Sequence, residues 1–393
     1  MHHLSQEDYT LDPQLGLKLL GGMNMVLHCH HYNARLQRTL EQNKKVDGKK
    51  IIRETAATIY WELFSNILEA KEQSDTIIED LYRFLGFGIL DLSRLKEGKI
   101  TSPFSHYVEG WNCGAIKTEG TVCRVTEGFL EGAIKAVFNK DVSVEELCCA
   151  NQANSSVCEF KVTPLDMPKN KFEKRTKNDV NFITNQKHNE ATSNIDKGKV
   201  INAVIRMPLE GNNEGLIPSF NVYLAHTPQE FYNLLTIRFI KEMEKVGFGD
   251  LAKEMLVEDA EHCALNTFGG ILESEEWEGL VRPMVKVQSD KLFGLVAVAN
   301  GLGWGRCHIA EHHPYEALKL CSTNGYEAYG YIEAQGHHES PQCFMLRGIS
   351  AGLMALVYEK GDFEERAGKF TSEETCCLVS KDPVCEFSIK REV

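Results

Sequence analysis

The sequence predicts an α/β chain of the α+β kind, built twice over. Three observations predict it. Segments with helical spacing of apolar residues come first and short strand-like runs follow. That order occurs twice. A set of cysteines, glycines and glutamates also repeats: Cys123, Gly128, Gly132, Glu146, Cys149 and Cys158 against Cys343, Gly348, Gly352, Glu374, Cys377 and Cys385. In both copies the first glycine follows the first cysteine by five residues and the second glycine by four more; a glutamate precedes a cysteine by three, and Cys-Glu-Phe closes the run. Agreement at this many positions marks an internal duplication.

Residues 1–24 read as a polar lead with breaks at Pro13 and Gly21-Gly22. A helix is expected over 25–42, carrying Val26, Leu36 and Leu40. The clearest amphipathic helix covers 50–70, where Ile52, Ala56, Ile59, Tyr60, Leu63, Phe64 and Ile67 recur at helical spacing. Another helix covers 74–85, and after Gly86-Phe87-Gly88 a strand follows over Ile89 to Leu92. A helix over 124–138 carries Gly128 and Gly132 on one face, where a neighbouring backbone can approach closely. Strands are expected over 141–149 and 157–162.

Residues 163–199 are rich in Lys, Asn, Asp and Thr and read as a solvated linker or an ordered surface insertion. The second copy, 200–393, then follows the first, 25–162. Val200 to Arg206 reads as a strand, and Thr227-Pro228-Gln229-Glu230 as a helix start, with Thr227 as cap and Pro228 in the first position of a helix over 228–245. A further helix covers 250–273. Tyr232-Asn233 echoes Tyr32-Asn33, Leu302-Gly303-Trp304-Gly305 matches Leu85-Gly86-Phe87-Gly88, and Gly325-Tyr326 is matched to Gly110-Trp111.

The 393 residues suit two or three domains, and the duplication makes them two related ones. A net charge of −13 makes nucleic acid and anionic membrane surfaces poor partners. No run of 18 apolar residues exists, so no membrane span is expected. The first residues lack the basic and then apolar pattern of a signal peptide. Thirteen cysteines, an odd number, then favour reduced thiols and metal over a disulfide framework, and a cytoplasmic location.

Three thiolates and a carboxylate form a plausible tetrahedral zinc set. Cys123, Glu146, Cys149 and Cys158 make one set, and Cys343, Glu374, Cys377 and Cys385 the other. Four protein ligands close the shell, which makes the site structural. The bland alternative is that these cysteines are small core hydrophobes. Cys148 and Cys376 are spare, and either could replace its neighbour.

Among the fourteen histidines, three groups stand out. His28, His30 and His31 open the first helical segment. Glu258, Asp259 and His262 lie on one predicted helix. Cys307-His308, Glu311-His312-His313 and His337-His338 lie on or beside strands. Imidazole with carboxylate suits iron, zinc or manganese, so His262 with Glu258 or Asp259 and one of His308, His312 and His313 is a candidate catalytic set. A haem or other tetrapyrrole would instead take one axial histidine, with His28 and His31 as candidates. Trp111, Trp304, Tyr326 and Phe344 could line an aromatic-binding pocket or serve as ordinary core. There is no nucleophile elbow, no His-Glu-x2-His and no phosphate-binding glycine loop.

The series Leu302-Gly303-Trp304-Gly305, Cys343, Gly348, Gly352, Glu374, Cys377 and Cys385-Glu386-Phe387 resembles the 4-vinyl reductase domain, found in a bacteriochlorophyll-biosynthesis protein, in archaeal hydrocarbon-binding proteins and in aromatic-responsive sensors. The resemblance covers about 225–393 and 25–162, with one extra residue between Cys149 and Cys158. It implies two domains, each a twisted antiparallel sheet packed against helices, paired as an intramolecular pseudo-dimer or as a homodimer. It also implies a zinc ion in each Cys-Glu-Cys-Cys set and an apolar pocket for a ring or hydrocarbon ligand. The expected function is therefore binding of an apolar, aromatic or tetrapyrrole-like small molecule by a carrier, chaperone or sensor. The alternatives are a metal-dependent oxidoreductase with non-haem iron or haem in the second half, and a ligand-free interaction scaffold.

Overall fold

The computed structural model describes residues 4–70, 76–113, 120–152, 154–167, 172–183 and 189–392. The first half opens with β1 (Thr10–Asp12), β2 (Leu17–Leu20) and β3 (Met23–Cys29). Helices α1 (His30–Gln42), α2 (Gly48–Ala70) and α3 (Ile77–Phe84) follow, then β4 (Gly88–Asp91), β5 (Lys99–Ser105), α4 (His106–Cys113), α5 (Arg124–Phe138), β6 (Val142–Cys148) and β7 (Cys158–Pro164). Helix α6 (Lys197–Ile205) leads to β8 (Ile217–Ser219) and β9 (Val222–Pro228). Next come α7 (Gln229–Lys245), α8 (Gly249–Cys263), α9 (Gly269–Leu272), α10 (Glu275–Leu280) and α11 (Asp290–Gly301). The chain ends with β10 (Arg306–His313), β11 (Ala317–Thr323), α12 (Tyr326–Gln335), α13 (Phe344–Tyr358), α14 (Phe363–Arg366), β12 (Phe370–Cys376) and β13 (Cys385–Arg391).

Each half carries a four-stranded antiparallel sheet of the same order, β4-β5-β7-β6 and β10-β11-β13-β12. A third sheet, β1-β2-β3-β9-β8, joins the halves through the antiparallel pair β3 and β9. Leu27 donates its N–H to the Leu302 carbonyl at 3.0 Å, and His226 donates to the Leu85 carbonyl at 2.8 Å. Each half's strand thus seats on the other half's glycine turn, the arrangement of a pseudo-dimer closed within one chain. The two turns match closely: Phe87 O accepts from His106 N–H at 2.9 Å and Trp304 O from Tyr326 N–H at 3.3 Å. Gly88 and Gly305 hold φ of 122° and 136°, a conformation that side chains resist.

The helical pairs repeat as well. Ile52, Ala56, Ile59, Tyr60, Leu63, Phe64 and Ile67 are buried along α2, which packs against α5. A methyl group on Gly128 would strike the Arg53 carbonyl, and one on Gly348 in α13 would strike the Val257 carbonyl in α8. Two helix backbones are in contact in each half, and only glycine permits that approach.

Several expected elements differ. Residues 25–29 are strand, because β3 lies buried between the halves and carries no polar face to set a period. Val200–Arg206 is not a strand: Asp196 caps α6 by accepting from the Lys199 N–H, and Val200, Val204 and Ile205 bury one face. Pro228 ends β9 and stands at the N-cap itself, so Thr227 is a buried strand residue and caps nothing. The helix expected over 250–273 is interrupted by a π-turn over Ala264–Phe268. The lead contributes β1 and β2 to the central sheet.

The polar stretch is tied down where it is described. Lys177 pairs with Glu230 at 2.9 Å, Ile183 N–H donates to Asn324 Oδ1 at 2.9 Å, and Ala191 N–H to the Ile309 carbonyl at 2.8 Å. Residues 168–171 and 184–188 of that stretch, and 74–75 of the helix expected over 74–85, lie outside the described residues. Gly110 packs on the His30 carbonyl in α1 and Gly330 on Asn233 in α7, so the partner of Gly110 is Gly330 rather than Gly325.

Candidate metal centres and a cavity between the halves

Each four-stranded sheet positions its cysteine set in the same way. The first cysteine, Cys123 or Cys343, stands at the N-cap of the glycine-bearing helix. A β-bulge between Glu146 and Cys148, repeated between Glu374 and Cys376, turns the glutamate and the following Cys149 or Cys377 inward. The last cysteine opens β7 or β13. The ligand atoms of Cys123, Glu146, Cys149 and Cys158 lie within 4.8 Å of one another, as do those of Cys343, Glu374, Cys377 and Cys385. Cys148 and Cys376 stay half-exposed and outside both groups.

In the first set, Cys158 Sγ is 3.6 Å from Cys123 Sγ and 3.7 Å from Cys149 Sγ. In the second, Cys343, Cys377 and Cys385 are 3.7–3.9 Å apart. Glu146 Oε2 accepts the Cys123 N–H at 2.7 Å and Glu374 Oε2 the Cys343 N–H at 2.9 Å. The other oxygen of each carboxylate, Oε1, is buried with no hydrogen-bond partner. Burial pushes the Glu146 carboxyl up to about 8 and that of Glu374 to about 9. Hydrogen bonds from the two neighbouring thiols draw Cys149 and Cys377 strongly down. A buried carboxylate oxygen without a partner, set beside three clustered sulfurs, is an arrangement that a cation would complete. The donor set fits a metal ion in both halves.

The predicted histidine and carboxylate set does not converge. Asp259 Oδ1 accepts from Arg35 Nε at 2.8 Å and Glu258 Oε1 from Arg35 Nη2 at 3.3 Å, so both carboxylates tie α8 to α1. The His262 ring lies 4.8 Å from that of Phe363. His312 Nε2 meets the Tyr358 hydroxyl at 2.8 Å. Among the described residues these four do not gather as a metal-binding group.

Of the candidate cofactor residues, three meet. His28 stacks on Trp304 at 4.9 Å and is flanked by Tyr32, Tyr232 and Tyr326 at 4.5–5.7 Å. Both His28 ring nitrogens are buried without a partner, and burial pushes its pKa down to about 3. Trp111 lies elsewhere, under the Arg38 guanidinium. His31 lies beside His30, their ring centroids 4.0 Å apart, at a cavity of about 730 Å³ between the halves. The hairpin β8–β9, with Phe220 and Asn221 both at φ 56°, forms one wall; Glu275 and Glu276 at the start of α10 form another. His30, His31 and Cys113 gather their ligand atoms within 4.8 Å beside this cavity.

No protein family matches the sequence, and no curated protein matches it. One solved structure similar to part of the chain is the phenol-responsive sensory domain of the transcription activator PoxR, solved with phenol. It is 13% identical and matches over 42% of this chain and 75% of that one, with a TM-score of 0.32. Among the described residues no helix is long and apolar enough to cross a membrane.

Sequence reasoning missed Cys113 and the hairpin wall. Cys113 is 83 residues from His30, and only the packing of α4 on α1 brings Sγ to 3.2 Å from Nε2. The turn Phe220-Asn221 carries no glycine to signal it.

Proposed function

We propose that this chain is a small-molecule-binding protein in which each half is closed by a structural zinc ion. The observation that carries the zinc reading is the thiol geometry: sulfur separations of 3.6–3.9 Å in both halves, each with a buried carboxylate oxygen left over. Tetrahedral Zn–S bonds of about 2.3 Å place sulfurs about 3.8 Å apart. Cys123, Glu146, Cys149 and Cys158 would hold one ion, and Cys343, Glu374, Cys377 and Cys385 the other. The set with a carboxylate is also the one expected from the resemblance to the 4-vinyl reductase domain, in copies spanning 25–162 and 200–393.

The small-molecule reading is supported by the cavity of about 730 Å³, whose accessible apolar wall is Pro218 and Tyr223. That volume suits a compound of drug-like size, and the apolar wall suits an aromatic or hydrocarbon body. Carrier, chaperone and sensor roles all use such a site. Elemental analysis of untagged protein tests the metal: about two zinc per chain is expected, and none would remove the reading. Solvent extraction with mass spectrometry tests the ligand, with an apolar compound in stoichiometric amount as the expected result.

A further inference from the structure

The two cysteine sets are closed and buried, but the third group of metal-ligating side chains stands open on the cavity. His30 and His31 occupy the first two positions of α1, and Cys113 the last of α4. His30 is buried, and its Nδ1 sits on the Tyr223 backbone, 3.3 Å from the carbonyl and 3.1 Å from the N–H. That anchor fixes the ring and aims Nε2 at Cys113 Sγ, 3.2 Å away. Of the two Tyr223 contacts, donation from Nδ1 to the carbonyl is the tautomer that leaves the Nε2 lone pair for a metal, whereas accepting the Tyr223 N–H keeps the proton on Nε2; a metal ion selects the first. Among the described residues the His31 ring makes no hydrogen bond, and it faces the same cavity. Cys113 is exposed, at the cavity's edge.

We propose that His30, His31 and Cys113 bind a third metal ion, a borderline-to-soft divalent cation such as zinc or cobalt, with an open coordination position towards the cavity. The donor types select against magnesium and calcium, which take oxygen. Zn–N and Zn–S bonds of about 2.1 and 2.3 Å require N···S of about 3.6 Å, a few tenths of an ångström beyond the observed contact, which an exposed cysteine at a helix end can supply. Three protein ligands leave one position free, the pattern of sites that exchange water for a ligand.

The chemistry of the occupant follows, and this part rests on the small-molecule reading above. The compound carries a nitrogen, sulfur or oxygen donor able to ligate the metal, on an aromatic or aliphatic body that lies against the accessible Pro218 and Tyr223. Glu276 is engaged by Ser219 Oγ at 2.7 Å and by the Phe220 N–H at 3.1 Å, so it holds the hairpin wall rather than the ion.

The test uses the full chain as purified, with Cys113→Ser and His31→Ala beside it. Cobalt(II) is titrated in while visible and near-ultraviolet absorption and metal content are read. Wild type is expected to take one equivalent more than Cys113→Ser, with a thiolate-to-cobalt band absent from that variant; His31→Ala should bind that equivalent roughly tenfold more weakly or worse. Imidazole should shift the visible bands of the extra cobalt. Equal metal uptake and identical spectra in wild type and Cys113→Ser overturn the site, and unshifted bands overturn its open position. The two structural ions are read separately. Two zinc in every variant with no extra cobalt in wild type leaves the structural reading intact and sinks this one. An extra equivalent dependent on Cys113 in a chain that holds no zinc does the reverse.

Discussion

Glu374 accepts the backbone N–H of Cys343 with one carboxylate oxygen, at 2.9 Å, and keeps the other buried without a partner. Glu146 does the same with Cys123 at 2.7 Å. One residue thus holds the helix start and offers its second, unpartnered oxygen beside three thiols. Glu374→Gln keeps the hydrogen bond and removes the charge. If the proposed zinc ions are bound, release from the second half to a chelator is expected to speed up tenfold or more, with the first half's ion unaffected. Identical release kinetics for both ions would show that the carboxylate is not a ligand.

The helix contacts repeat as closely as the thiols. A methyl group on Gly348 would overlap the Val257 carbonyl, and one on Gly128 the Arg53 carbonyl. Backbone atoms cannot move aside as a flexible side chain can, so the helices must separate. Gly348→Ala and Gly128→Ala are each expected to cost about 2–3 kcal/mol in urea unfolding. A Gly279→Ala control, where an added methyl meets nothing within 4 Å, should stay near wild type. If all three behaved alike, close approach would not be what the glycines supply.

These two relationships were legible in the sequence because they repeat at fixed local spacing. The helical stripe of α2 was legible because one face is buried and the other is not. Strand β3 was not, since burial on both faces erases the period. Helix α6 was obscured by β-branched residues, and the cap at Asp196 decided it. The carboxylates Glu258 and Asp259 were readable as chemistry, but their partner Arg35 is 224 residues from Asp259, so their structural use was not. The His30–Cys113 contact was hidden for the same reason: tertiary packing alone creates it.

His28 shows what burial does to a titratable group in the aromatic cluster. Its folded pKa of about 3 lies below the ordinary 6.5, so the unfolded chain takes up the proton first. The contribution to stability is therefore present above about pH 6.5 and is lost as the pH falls towards 3. At pH 5 that loss is about 2 kcal/mol. His28→Phe keeps the stacking on Trp304 and removes the proton. Its stability relative to wild type should rise by about 2 kcal/mol between pH 7 and pH 5 in paired urea titrations. A difference that stays constant with pH would mean that His28 titrates normally in the fold. His30 and His106, pushed down to about 2 and about 3 mainly by burial, keep the variant acid-sensitive.

Asp259 carries the opposite sign. Arg35 pairs with one of its oxygens, yet burial raises the carboxyl from 3.8 to about 6 and leaves Oδ2 without a partner. A raised carboxyl favours the folded state fully below pH 3.8, and that advantage fades as the pH climbs through about 6. Above it, the ionised group costs about 3 kcal/mol relative to an unshifted one. Asp259→Asn still accepts from Arg35 and leaves that guanidinium its second partner, Glu258. The variant is expected to match wild type near pH 4 and to exceed it by about 2–3 kcal/mol at pH 8, read by urea unfolding at both. A variant weaker than wild type at pH 8 would place the Arg35 ion pair above the burial cost, and α8 would then be held to α1 by charge rather than by packing.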